Sequence, residues 1–481
     1  MTERAQIKRG LVWFGSATLL SKLLDVVGIV IVLRYLSSEQ LGIASLALGV
    51  STVFESFGGL GVEAAIVQAR GISRETLSSL FWFCVLVAAL ICGAMFVAAP
   101  WVSVFYDDSR LTPMLWASTL KFLCLGVAIV PLQILIRDLR FPEISMVQGI
   151  TALGVNLAKI ALAFAGKGAW ALVLPNALYG VIFLAALSWL APFRPQLRLV
   201  WRDISWFVSF GVRAAASTIT MECSRNLDYF LVGKFLGLSA LGMYRVAFEI
   251  AMMPMETLAQ TTYRVAYPVF SRVADDWRRL EAAFFDTSRM MLTITGPMAV
   301  VIFFGARDLL QLITGEKWLA AVPAIQVLCW AGVLRTAERL FTRLFNAVGK
   351  PQLTLFESLL TLVVLATTMC TLLYFLGDTI GVLAVCAAWV LSYPILFFFV
   401  RSLARRVMPF RFTGYLRCLG PTVACVAIMG LLTALATALR PATGAGAWPA
   451  SGLILVTVVG LGSYALSLRR LAGLSIRDIF K

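Results

Sequence analysis

The sequence contains no histidine, and only 14% of its residues are charged. Without imidazole there is no histidine metal site, no Ser-His-Asp or Cys-His nucleophile and no histidine proton relay. The nine cysteines, among them Cys84, Cys92, Cys223, Cys329 and Cys425, stand singly in apolar runs with no Cys-x-x-Cys pair. They read as small buried hydrophobes rather than disulfides or metal ligands. The Gly-Lys steps at Gly166-Lys167, Gly233-Lys234 and Gly349-Lys350 lack the spacing and the following Ser or Thr of a phosphate-cradling loop, so no ATPase site is expected. There is no Asp-x-Asp and no long polar loop, which removes the usual equipment of a membrane-embedded glycosyltransferase or polymerase. No catalytic residues, metal or cofactor are expected.

What the chain has in abundance is apolar surface. Its 481 residues are 60% hydrophobic, with a mean hydropathy of +0.88, well above the ~45–50% apolar share of soluble domains. A transmembrane helix takes ~20 apolar residues. Hydrophobic runs between charged or Gly/Pro breaks predict fourteen of them, near 11–33, 42–65, 78–104, 114–136, 144–164, 171–190, 204–232, 242–263, 282–303, 321–338, 352–375, 382–400, 418–435 and 450–468. The fold class is therefore an all-α integral membrane protein. The net charge of +16 would suggest nucleic acid in a soluble chain, but in a polytopic one it records cytoplasmic loops, and nucleic acid is set aside. With the N-terminus inside, 26 Lys and Arg fall in inward segments and seven in outward ones, which predicts both termini in the cytoplasm. Lys22, Asp25 and Arg34 interrupt the first run, so no cleaved signal peptide is expected.

Sliding the chain by about 200 residues lays Arg34 to Gly42 over Lys234 to Gly242, matching the cation, Leu36 with Leu236, Leu41 with Leu241 and Gly42 with Gly242. A second echo sets Arg-Phe-Pro142 against Gly-Lys-Pro351, each opening a span. Six spans separate the copies, so the repeat is parallel, as in two-lobed carriers that rock around a central site. Two pseudo-symmetric six-helix lobes, 1–193 and 194–408, with an extra pair of helices in 409–481, are the predicted organisation. Residues 194–207 mix basic and aromatic groups and fit either an interfacial linker helix or the wet end of the seventh span.

Ionisable groups inside a bilayer cost ~2.5–3.5 kcal/mol each even on the lenient insertion scale. Here they concentrate in a few spans: Lys22 with Asp25, Glu55, Arg213, Glu222 with Arg225 and Asp228, Arg245 with Glu249 and Glu256, and Arg335 with Glu338. One reading is that they are salt bridges that fix packing, with Asp228–Arg225 and Arg335–Glu338 as pairs. The other is a basic cavity for an anionic substrate, in which Lys22, Arg213, Arg225, Arg245 and Arg335 bind phosphate and Asp25, Glu55, Glu222, Asp228 and Glu249 are candidate ion-coupling carboxylates. Lys121 and Lys159 are expected to snorkel.

Several segments resemble the polysaccharide transporter family, the Wzx-type flippases of the multidrug/oligosaccharidyl-lipid/polysaccharide exporter superfamily. They are Leu33 to Gly42, Gly59 to Gln68, Arg137 to Phe141, Asn226 to Gly237 with Leu241 to Tyr244, and Tyr267 to Arg272. Ser38 stands where the family has proline and Leu41 where it has an aromatic. The resemblance, nearest to the colanic acid exporter branch, implies an inner-membrane flippase for undecaprenyl-pyrophosphate-linked oligosaccharides. Its implied partners are that substrate, membrane lipids and other polysaccharide-assembly proteins. By similarity to lipid II flippases, the last two spans would hold the polyprenyl tail. A cation-coupled multidrug exporter remains the alternative; it would favour a net acidic cavity and twelve spans. A membrane-embedded polysaccharide-assembly enzyme is the third.

Overall fold

The computed structural model describes residues 21, 24–58, 62–69, 72–439 and 449–471, without the side chains of 64, 67, 68, 210–218, 351, 449 and 471. The described residues form α1 (24–35), α2 (Ser38–Glu55), α3 (Val62–Gln68), α4 (Arg74–Phe105), α5 (Leu111–Arg137), α6 (Phe141–Phe164), α7 (Trp170–Leu190) and α8 (Trp201–Phe235). They continue as α9 (Gly237–Arg272), α10 (Trp277–Thr314), a short 3-10 turn, α11 (Val322–Ala347), α12 (Pro351–Ile380), α13 (Val382–Ala404), α14 (Phe412–Ala438) and α15 (Pro449–Leu471). Every one of the fourteen expected runs carries a helix, and ten helices are long and apolar enough to cross a bilayer. In the second run α2 ends at Glu55 and α3 begins at Val62, and α8 and α9 are not among the ten.

Local chemistry sets the helix ends. Ser37 and Gln40 form a reciprocal capping box at α2, and the Asp276 carboxylate accepts from the Arg278 and Arg279 amides at α10. The two sequence echoes ending in Pro142 and Pro351 both place proline in the first turn of a helix, α6 and α12, where its missing N–H costs nothing. Gly315 (φ 77°) and Gly381 (φ 55°) stop α10 and α12 in a conformation that L side chains resist.

The chain divides into two compact units after Gly242. In the first, α5 lies between α4 and α7, and α7 packs on α6. Close backbone approach makes this possible: a side chain at Gly126 would meet Ala88 Cβ at 2.4 Å, and one at Gly180 would meet the Lys121 backbone at 2.8 Å. Helix α8, assigned to the second lobe from sequence, packs on α2, α3 and α4. It is one continuous helix from Trp201, and residues 194–200 precede it as a non-helical strap. The preceding strap is laced to α4: the Gln196 and Val200 amides donate to Ser78 and Ser79, and Trp82 Nε1 donates to the Gln196 carbonyl at 2.9 Å.

The first unit also contains a reciprocal crossing of the two repeat segments. A Cβ at Gly42 would lie 1.8 Å from the Leu238 carbonyl oxygen, and one at Gly242 would lie 1.9 Å from the Ser38 carbonyl oxygen. The Ser38 and Ser239 hydroxyls meet at 2.7 Å beside it.

In the second unit, α10 and α11 pack together and α13 packs on both α11 and α12. A buried aromatic cluster around Phe284, with Phe270, Phe341, Phe410 and Tyr415, ties α9, α10, α11, α13 and α14 together. Helices α14 and α15 lie against α10 through Val300, Cys425, Val426, Met429 and Leu468, and Tyr464 donates to the Thr293 carbonyl at 3.0 Å. Their other faces expose Leu431, Ile454 and Val458, in keeping with a lipid-facing pair.

Between α4 and α5, outside the spans, Arg110 donates to Asp108 at 2.9 Å and to Glu39 at 2.5 Å. Its hydrogen bond holds the Asp108 carboxyl below the usual carboxylate range. A carboxyl whose pKa is depressed by folding stabilises at neutral pH and loses that contribution as the pH falls through the depressed value. Asp108→Asn should therefore lower the melting temperature at neutral pH, with the gap closing on titration toward pH ~3; a gap independent of pH would contradict the ion pair. At the crossing, Gly42→Ala or Gly242→Ala should cost ~1–3 kcal/mol by overpacking. Gly93→Ala, whose Cβ meets nothing within 4 Å, should be neutral or stabilising. Thermal unfolding of the purified variants checks both.

Candidate functional site

The charges buried in the spans form two networks, one inside each unit. In the first unit, Glu55 closes α2 and Lys121 lies midway along α5. The Lys121 ammonium donates to Glu55 Oε2 at 2.8 Å and to Asn176 Oδ1 at 3.4 Å, and sits 5.4 Å from the Tyr179 ring centroid. Gly180 on α7 allows this, because only a residue without Cβ lets α7 lie on the Lys121 backbone. Asp25 on α1 accepts from Asn156 Nδ2 at 3.0 Å and pairs with Lys159 at 3.5 Å, both on α6. Lys121 and Lys159, expected to snorkel, are thus halves of interhelical ion pairs.

Glu55, Lys121 and Tyr179 border a cavity of about 350 Å³ between α2, α3, α4, α5 and α7. Glu63 on α3 also lines it. The rest of the wall is apolar, including Ile91, Phe122, Leu125, Ile129, Leu132 and Phe183.

On α8, Arg225 pairs with Glu222 at 2.8 Å, and Asp228, 1% exposed, accepts the Tyr229 amide at 3.0 Å. The anticipated partner of Arg225 was Asp228; the ion pair goes one turn the other way, to Glu222. Lys22 and the Arg213 side chain lie outside the described residues.

In the second unit, Arg245 and Glu249 pair at 2.9 Å along α9, as their i, i+4 spacing suggests. Glu256, further along α9, binds Arg339 directly and lies 3.9 Å from Arg335, both on α11. The Arg335 guanidinium lies 5.7 Å from the Phe248 ring and 5.2 Å from the Trp389 ring, and Trp389 Nε1 donates to the Tyr244 hydroxyl at 2.7 Å. The expected Arg335–Glu338 pair is replaced by this arrangement, while Glu338 accepts from Thr361 at 3.3 Å. Glu357 on α12 is 2% exposed and takes the Thr342 hydroxyl on both oxygens, at 2.8 and 2.9 Å. A void of about 10 Å³ beside Glu256, Tyr263, Arg335 and Arg339 has room for one water at most.

Sequence reasoning missed Glu357, Arg339 and Asn156 as members of these networks, and Glu63 as part of the cavity wall. Glu357 carried a signal, being the one ionisable residue in the predicted span 352–375. Among the described residues no group of three or more His, Cys, Asp or Glu is arranged to hold a metal.

Residues 31–323 match the family described as Polysaccharide biosynthesis protein. The chain belongs to this family. Its relatives include the lipopolysaccharide biosynthesis protein WzxC of Escherichia coli K12, 23% identical over 344 residues covering 70% of this chain and 69% of the relative. The teichuronic acid biosynthesis protein TuaB of Bacillus subtilis 168 is 25% identical, covering 57% and 58%. The succinoglycan biosynthesis transport protein ExoT of Rhizobium meliloti 1021 is 24% identical, covering 68% and 66%. Among solved structures, the lipid II flippase MurJ in an inward closed conformation superposes with a TM-score of 0.73 at 13% identity, over 96% of this chain and all of that one. An inward-facing multidrug resistance transporter of the MATE family reaches 0.64 at 15% identity, over 80% and 94%. The fold is theirs, and the chain is a multi-pass membrane protein.

If the second-unit network holds that unit together, Arg339→Gln, which strips the closest cation from Glu256, should cost ~3–5 kcal/mol. Thr342→Val, which takes a donor from Glu357, should cost ~1–3 kcal/mol. Membrane level and thermal unfolding report both, and Arg278→Gln at the solvated start of α10 is the control.

Proposed function

We propose that this protein is a flippase. It moves undecaprenyl-pyrophosphate-linked oligosaccharide repeat units from the cytoplasmic to the periplasmic leaflet of the bacterial inner membrane, by alternating access, for exopolysaccharide or lipopolysaccharide biosynthesis. The observation that carries this reading is a convergence. The sequence belongs with proteins named for polysaccharide assembly and transport, and the fold is shared along nearly the whole chain with a flippase of another lipid-linked saccharide. Moving a substrate between leaflets alters no bond, which agrees with a chain that has no histidine. Both termini are assigned to the cytoplasm by the Lys and Arg distribution.

The cations proposed for the pyrophosphate are Lys22, Arg213, Arg225, Arg245 and Arg335, with Asp25, Glu55, Glu222, Asp228 and Glu249 as candidate coupling carboxylates. Arg225 supports the assignment best, its side chain being 44% exposed beside Glu222. Arg335, at 11%, is the most enclosed of the three cations whose side chains are described.

Complementation of a flippase-null strain, with membrane levels measured alongside, tests the assignment. Arg225→Gln should leave the level normal and lose polymer, since a charge-assisted contact of ~1.5–3 kcal/mol is a roughly ten- to hundredfold loss of binding. Arg335→Gln should lower the level as well, because it takes a cation from beside Glu256. Normal polymer with Arg225→Gln would remove that residue from the substrate path, and failure of the intact chain to restore polymer in any lipid-linked-saccharide background would overturn the flippase reading.

A further inference from the structure

The cavity of the first unit has a chemistry opposite to that of a pyrophosphate site. Its volume of about 350 Å³ falls within the ~300–1,000 Å³ range of small-molecule pockets. Most of its wall comes from Ile91, Phe122, Leu125, Ile129, Leu132 and Phe183, so an occupant must present an apolar body. The polar end holds three charges of which two cancel: Lys121 neutralises Glu55 at 2.8 Å. Glu63 is the third. It is accessible to the cavity and, among the described residues, has no hydrogen-bond or ion-pair partner. Among the described residues the site therefore carries one carboxylate in excess.

Each alternative occupant fails on one of these observations. An anion, including a phosphate head group, would bring like charge up to Glu63. A bare metal ion would need more oxygen ligands than this end supplies and would leave the apolar wall empty. A sugar would bury its hydroxyls against aliphatic side chains with few partners. The Tyr179 ring already has the Lys121 ammonium 5.4 Å from its centroid and Phe183 stacked on it at 5.8 Å, so a pyranose would compete with both. A cation with a hydrophobic body satisfies both halves of the cavity.

We propose that the cavity between α2, α3, α4, α5 and α7 binds a lipophilic organic monocation, with Glu63 as its counter-charge and the α4, α5 and α7 side chains around its apolar body. None of the arginines assigned to the lipid-linked anion is among the described lining residues, although Glu55, a candidate coupling carboxylate, is; the site gives the chain a second ligand class.

The test is ethidium binding to the purified full-length protein in detergent, followed by fluorescence anisotropy, with thermal unfolding of every variant as the folding check. Wild type should bind saturably. Glu63→Gln should weaken binding at least tenfold. Lys121→Gln, which leaves Glu55 as additional uncompensated charge, should tighten it several-fold. Ala128→Phe, which fills the cavity from α5 without touching a charge, should abolish saturable binding even if one of the charge variants folds poorly. Absence of saturable binding by wild type, equal binding by wild type and Glu63→Gln, or weaker binding by a folded Lys121→Gln would overturn the proposal. Polymer export in the complementation assay should survive Glu63→Gln, so failure of this proposal and failure of the flippase reading are told apart.

Discussion

A charge placed within a bilayer must be answered by another group on the protein, because lipid offers none. The arrangement of both units follows from that demand. Each ion pair that crosses between helices, Asp25 with Lys159, Glu55 with Lys121 and Glu256 with Arg339, pins two helices at a fixed rotation and depth. A helix that turned by one residue would bury a lone ion, at a cost comparable to a large share of the net stability of a domain. Apolar packing alone would not supply this register, since leucine against lipid and leucine against leucine differ little. The glycines at 126 and 180 do complementary work, bringing α4 and α7 close to the backbone of α5, the helix that carries Lys121.

The two units answer the demand differently. In the second, the void beside the Glu256–Arg339–Arg335 network has space for no more than a water. The first keeps an open cavity next to its ion pair. A filled polar interior resists rearrangement, whereas an open one can take up and release something.

How much of this was legible in the sequence depended on whether an interaction runs along a helix or across to another. Hydropathy located all fourteen helical runs, because twenty apolar residues in a row have few other uses. The Arg245–Glu249 pair follows from a spacing of four on one helix, whereas Arg225, three positions from both Glu222 and Asp228, pairs with Glu222 and not with the Asp228 expected. Spacing misled at Arg335 and Glu338, equally well placed for each other, because the rotation of α11 turns Arg335 toward Glu256 and two aromatic rings and gives Glu338 to Thr361 on α12. Lys121 and Lys159 looked solitary for the same reason: their partners lie 66 and 134 positions away, and nothing in a linear pattern states the helix rotation that joins them. The end of α2 was hidden because Phe57 and Gly58 continue the apolar run while the backbone there has already left the helix.

The crossing at Gly42 and Gly242 bears on how such a chain is made. Its Ser38–Ser239 hydrogen bond closes a loop of 201 residues, so the N-terminal end of α2 meets its neighbour only after α3 to α8 have been synthesised and the start of α9 has left the ribosome. Synthesis at ~5–20 residues per second makes that a wait of roughly ten to forty seconds. Throughout that interval the glycine face of α2 is an unfinished surface in the membrane, and the first unit completes itself only when its own last residues, at the start of α9, have emerged.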